Sequence, residues 1–156
     1  MNTRSIIAII LISIMCASLF AQNFADLKTV LDAGGVPYIA DDAEEVCVIS
    51  LDGLEESDGK MIYIKLEGVN KEFVVARLTI IDGIDGTEYM GDVYRECLVF
   101  NHGTGLLKAQ YDPKYGDIDI TYEAWISTPP EDFVKGIQFL VEKADKLAAK
   151  IKKILK

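Results

Sequence analysis

The sequence predicts an α+β domain built on an antiparallel β-sheet, with elements in the order α-β-β-β-α-β-β-α. Three observations predict it. Residues Leu106 to Ile126 read as two strands around a tight turn, and beyond the turn Ile118, Ile120, Tyr122, Ala124 and Ile126 alternate with Asp119, Thr121, Glu123 and Trp125. That is the period-2 pattern of a strand with one apolar face. Three more strand-like runs, 46–51, 61–67 and 73–81, are joined by connections short enough to make them neighbours in one antiparallel meander. Finally, Phe133, Ile137, Leu140, Ala144, Leu147, Ile151 and Ile154 recur at alternating steps of four and three. That spacing gives a long amphipathic helix able to cover a sheet.

Each element has its own local reasons. Phe24, Leu27, Val30 and Leu31 give a short helix through Ala33 one apolar face, with Asn23 or Asp26 as its cap and Gly34-Gly35 as its stop. Val36 to Ala40 then runs extended. Val46 to Leu51 is β-branched and apolar. Asp52 to Gly59 reads as a loop or hairpin turn, and Gly68 to Lys71 as a second turn. After the 73–81 strand, Asp82-Gly83-Ile84-Asp85-Gly86 breaks the pattern. Thr87 caps a helix expected to reach Asn101, with Tyr89, Met90, Val93, Tyr94, Cys97, Leu98 and Phe100 as its apolar side. Asp112-Pro113-Lys114-Tyr115-Gly116-Asp117 turns the hairpin: proline sets φ early in the turn and glycine admits positive φ near its end. Pro130 suits the first turn of the last helix, whose N-terminus carries Glu131 and Asp132 and whose C-terminus carries four lysines after Leu147. Both match the helix dipole.

Residues 1–21 read as a leader. Arg4 precedes an apolar run from Ile6 to Met15, and small residues follow at Cys16-Ala17-Ser18 and Ala21. This is the layout of a secretory signal peptide. Cleavage is expected after Ala21, leaving 22–156 as one domain in a secreted or periplasmic location. Two rival readings are a retained membrane anchor and a lipoprotein acylated at Cys16. The apolar run sits at the lower limit for a span, and the small residue expected before a lipidated cysteine is missing.

The chain of 156 residues carries a formal charge of −9, which argues against nucleic acid as a partner. Outside the leader, Cys47 and Cys97 read as buried thiols, with a single bridge as the alternative. The carboxylates of 41–58 and the aspartates of 82–85 lack the order of a calcium loop, and one histidine, His102, with no C-x-x-C leaves no metal set. Neither a nucleophile elbow nor a phosphate loop is present. His102 reads as a helix-end residue, five positions from Cys97 and off its face. No catalytic, cofactor or metal residue is assigned.

The residues Leu98-Val99-Phe100-Asn101, Leu107-Lys108-Ala109-Gln110-Tyr111-Asp112, Gly116-Asp117-Ile118 and the helix from Phe133 to Ile151 resemble the YbjN family and, through it, the type III secretion chaperone-like fold. The resemblance spans Phe24 to Lys156. It implies a compact α+β domain that often pairs and binds other proteins, and it implies no catalytic residues. A secretory leader departs from many cytoplasmic members.

The expected function is therefore non-enzymatic binding of a protein or peptide. Tyr111 and Trp125 on the hairpin, with Ile151, Ile154 and Leu155 on the last helix, are the candidate surface. The last turns of that helix are expected to overhang and pair two protomers. Rival readings are a small-molecule or lipid binder with an enclosed apolar pocket, and a structural dimerising envelope protein. The lysine-rich helix end reads as a solvated face, with anionic headgroups as the sharper alternative.

Overall fold

Nine elements follow one another in the computed structural model, which describes residues 23–50, 61–84 and 89–156. They are α1 (Phe24–Ala33), β1 (Ile39–Asp41), β2 (Val46–Ser50), β3 (Met61–Glu67), β4 (Phe73–Ile81), α2 (Met90–Thr104), β5 (Leu107–Asp112), β6 (Asp117–Trp125) and α3 (Pro130–Ile154). The expected leader with Cys16, the 52–58 carboxylates and the expected cap at Thr87 lie outside the described residues.

The six strands form one antiparallel sheet in the order β1-β2-β3-β4-β6-β5. The alternation expected of β6 places it between β4 and β5, with Ile120 opposite both Leu78 and Ala109. All three helices send apolar residues into the cluster that holds Ile62, Ile64, Val74, Ala76, Leu78, Ile118 and Ile120. They therefore share one face of the sheet, and no described helix covers the other. β1 is a strand that the sequence reading left as extended chain. Three residues are too few for a period to declare itself, and its pairing with β2, Ile39 opposite Val48, is what defines it.

Local chemistry follows the expected rules at α1. Asn23 Oδ1 accepts from the Ala25 and Asp26 N–H groups at 2.8 and 3.2 Å, and Asp26 Oδ2 accepts from Asn23 N–H at 2.8 Å. The two candidate caps thus act together as a capping box. Helix α2 differs: it runs to Thr104, past the predicted end at Asn101. Its glycine stop is Gly105, at φ 62°. On the β5–β6 turn Gly116 sits at φ 74° and donates to Asp112 O at 2.9 Å. Its own carbonyl accepts from Ile84 N–H at 2.7 Å, which ties the hairpin to the end of β4.

The last helix corrects a second expectation. Ile151 is fully buried, and Ile154 and Leu155 pack against the same cluster. The heptad stripe is consumed by the chain's own sheet, so the helix end does not overhang, and Ile151 is no part of a surface. Rise per residue misled here because β4 and β6, at nine residues each, are longer than the typical strand of about 5–6 residues.

Candidate binding surface

The helix-free face is built from the odd-numbered residues of β3, β4 and β6. Register places Val48, Tyr63, Arg77, Thr121 and Lys108 in one row across five strands, with Ile39 beside Val48 at the β1 edge. Another row runs Glu67, Phe73, Trp125. A solvent-facing side of an antiparallel sheet is normally polar. This one exposes Ile39, Met61, Tyr63 and Trp125, with Trp125 at 58%. The Phe73 and Trp125 rings lie 4.4 Å apart, tilted by 37°.

The centre of the face is polar and buried. Asp119 and Thr121 are each only 4% exposed. Asp119 accepts from the Thr79 hydroxyl at 2.7 Å and lies 3.9 Å from Arg77 Nε. To one side, Lys108 holds both oxygens of Glu123 at 2.9 Å. To the other, Lys65 pairs with Glu67 at 2.8 Å.

Of the predicted surface residues, Trp125 lies on this face. Tyr111 does not: it faces the helices opposite Ile118 and meets Tyr94 of α2 edge-on, with ring centroids 5.6 Å apart. The six residues of β5 pair with residues 117–122 of β6, and Tyr111 has the parity of Leu107 and Ala109. Ile154 and Leu155 are half-buried. The face residues that sequence reasoning missed are Ile39, Met61, Tyr63, Phe73 and Arg77. One signal was available for them. In β3, Met61 and Tyr63 are apolar on the parity opposite to Ile62 and Ile64, so both sides of that strand are apolar.

The two sheet edges differ. At the β5 edge, Asn101 of α2 acts as a substitute strand. Its Oδ1 accepts from Ala109 N–H at 2.6 Å and its Nδ2 donates to Ala109 O at 3.0 Å. Thr104 Oγ1 adds a bond to Leu107 O at 3.1 Å. An edge so covered cannot recruit another chain there. β1, three exposed residues long, forms the other edge. Asn101→Leu is expected to lower stability by about 1–3 kcal/mol, since it leaves a buried donor and acceptor unpaired. It is also expected to give concentration-dependent association through β5. Urea midpoints and light scattering check the two effects separately.

Away from the face, α2 exposes Val99 and also Tyr94 and Leu98, which the sequence reading placed on its apolar side. Val93 and Cys97 are the residues that turn inward. Two open grooves flank α3. One, about 500 Å³, is lined by Ile80, Ile81, Asp82, Ile84, Lys152 and Leu155. The other, about 190 Å³, lies between Val99, Phe100, Leu147 and three lysines. All three lysines are engaged, Lys143 and Lys146 with Glu142 at 3.5 and 2.6 Å and Lys150 with Glu96 at 3.3 Å. Cys47 and Cys97 are free and buried, and burial pushes both thiols up to about 11. They are protonated at neutral pH and act as apolar side chains. Among the described residues no group of carboxylates, histidine and cysteines could hold a metal, and no helix is long and apolar enough to cross a membrane.

No protein-family model and no curated protein matches the chain. Solved structures do. The Yersinia pestis type III secretion chaperone SycH, in complex with a stable fragment of YscM2, has a TM-score of 0.52 at 15% identity, covering 79% of this chain and 97% of that one. YbjN from E. coli has a TM-score of 0.62 at 12% identity, covering 85% and 93%. The HopA1–SchA chaperone–effector complex gives 0.61 at 13% identity, covering 81% and 95%. At such identities the likeness shows the fold: an α+β, type III secretion chaperone-like domain.

Proposed function

We infer that this is a non-enzymatic, chaperone-like protein-binding domain, and that it takes a partner polypeptide in extended form across its helix-free sheet face. One observation carries the reading: a face that should be polar displays Ile39, Met61, Tyr63 and Trp125 to solvent, beside an edge strand that no described helix covers. Extended chains dock on sheets by adding a strand at such an edge and seating alternate side chains on the surface. Large aromatic side chains supply much of the energy of such contacts. Two solved proteins of the same fold are in complexes, with a fragment of YscM2 and with an effector, which supports a protein as the ligand class. The grooves beside α3 are open and lysine-rimmed, so they lend no weight to an enclosed apolar carrier site. The leader's layout argues for a secreted or periplasmic site of action, and sequencing the mature N-terminus tests that by finding Gln22 first.

Trp125 is the sole tryptophan and sits on the face, so it reports directly. In the free protein it is expected to be readily quenched by acrylamide. Peptides selected from a displayed library on the full chain, then synthesised without tryptophan, are expected to shift its emission to the blue and protect it from quencher. Tyr63→Ser is expected to weaken them at least about tenfold, which is about 1.4 kcal/mol. A library that yields no binder, or binders that leave Trp125 emission unchanged, overturns the reading.

A further inference from the structure

The geometry points to Arg77 as the residue that receives a carboxylate from the bound chain, so that the partner is an extended segment with a single acidic side chain flanked on the same side by apolar ones. This rests on the sheet face being the binding surface.

Arg77 lies near the middle of that face, between Tyr63 and Thr121 in register. The other cations of the face are engaged: Lys65 with Glu67 and Lys108 with Glu123. Arg77 has only a long ion pair, with Asp119. Its Nε is buried and has no hydrogen-bond partner. The carboxylate of Asp119 stands 3.9 Å away, beyond hydrogen-bonding range, and one of its oxygens already takes the Thr79 hydroxyl. A guanidinium has five donors in a planar fork and no acceptor. The Arg77 side chain is 37% exposed, with Tyr63 beside it in register and Asp119 behind it. The exposed part of such a guanidinium can take a carboxylate with two charge-assisted bonds at once.

The surroundings define the rest of the segment. In an extended chain, side chains two apart face the same way, about 6.6 Å along the axis. Trp125 is four residues along β6 from Thr121, about 13 Å from the Arg77 row. An apolar residue four positions from the acid therefore reaches the Phe73–Trp125 pair, and Tyr63 stands beside the acid itself with Val48 beyond it. The chain as a whole is acidic, at −9, so one carboxylate among neutral residues fits this face and a polyacidic run is repelled.

The test is a membrane-tethered array of the nonapeptide Val-Thr-Val-Thr-X-Thr-Val-Thr-Val, with X each of the twenty residues, probed with the labelled full chain. Spots with X as Asp or Glu are expected to bind about tenfold more than those with Asn or Gln. Arg77→Gln is expected to bring all four to parity, Arg77→Lys to keep part of the preference, and Arg77→Glu to favour Lys and Arg spots. Circular dichroism melts confirm that each variant is folded; should Arg77→Gln fail to fold, a Lys variant with the full wild-type preference rejects the fork. Binding without acid preference, or a preference that survives in Arg77→Gln, overturns this inference alone. Binding at no spot overturns it together with the reading beneath it.

Discussion

Ile120→Asp is expected to leave no stably folded protein. Ile120 is fully buried on the central strand β6, with Leu78 on one neighbour and Ala109 on the other. Removing the isoleucine forfeits about 1.5–3 kcal/mol of burial. Placing a carboxyl there costs about 2–7 kcal/mol more even when it is protonated, because nothing apolar around it can hydrogen-bond. Together these approach or exceed the roughly 5–15 kcal/mol that holds a domain of this size. The neighbouring residue is an informative contrast. Asp119 is nearly as buried, yet it is kept because it points the other way, to Thr79 and Arg77. The cost therefore belongs to the face and not to the strand. Burial raises the pKa of an introduced carboxyl. Its neutral form is the less damaging one, so the defect should shrink as the pH falls toward about 3.9, the unperturbed aspartate value, and grow as it rises. Ile118→Asp should behave alike. Far-UV circular dichroism and urea titration at both ends of that range decide it, and normal melts for both variants would show that the buried face has been misassigned.

The elements that announce themselves in the sequence are those whose apolar residues keep to one side. β6 and α3 each carry a clean apolar period, so they were legible. What was not legible depends on pairs of residues distant in sequence. The bulge between Thr79 and Ile81 turns Ile80 and Ile81 both inward, and it exists only relative to β6. Asn101 reads locally as a helix end, and its work on Ala109 appears only when β5 lies alongside. The candidate surface was half visible. Trp125 stood out as an aromatic on the wrong parity, but Tyr111 was grouped with it because nothing in either strand alone tells which pleat the two share. Arg77 gave no signal at all: an arginine in a strand is ordinary until the register shows that its neighbours' charges are already spent. The same logic explains Ile151 and the final helix. A heptad stripe states that a face will be buried. Whether a sheet or a second protomer buries it depends on the length of the strands beneath, which here is enough.

A residue that sequence reasoning passed over provides the other large effect. Gly136 lies inside α3, where glycine ordinarily costs about 1 kcal/mol relative to alanine, so Gly136→Ala would be expected to stabilise an isolated helix. In the fold a Cβ at this position would overlap the ring of Tyr122 on β6. That ring is itself buried and held beside Phe133, with centroids 5.8 Å apart. It has no free space to retreat into without displacing the packing between helix and sheet. Overpacking of this kind costs about 1–3 kcal/mol, which outweighs the propensity gain. Gly136→Ala is thus expected to be net destabilising, and Gly136→Leu to lose more than about 3 kcal/mol, since three further carbons must enter the same space. The clash names its own suppressor. Tyr122→Leu alone should cost stability by leaving a void, yet in the Gly136→Leu background it should restore stability, with a coupling of roughly 0.5–3 kcal/mol in a double-mutant cycle. Urea unfolding of the four proteins measures it. If Gly136→Ala is as stable as the parent, or if the two substitutions simply add, α3 does not sit this close to β6 and the packing of helix on sheet described above is wrong at its centre.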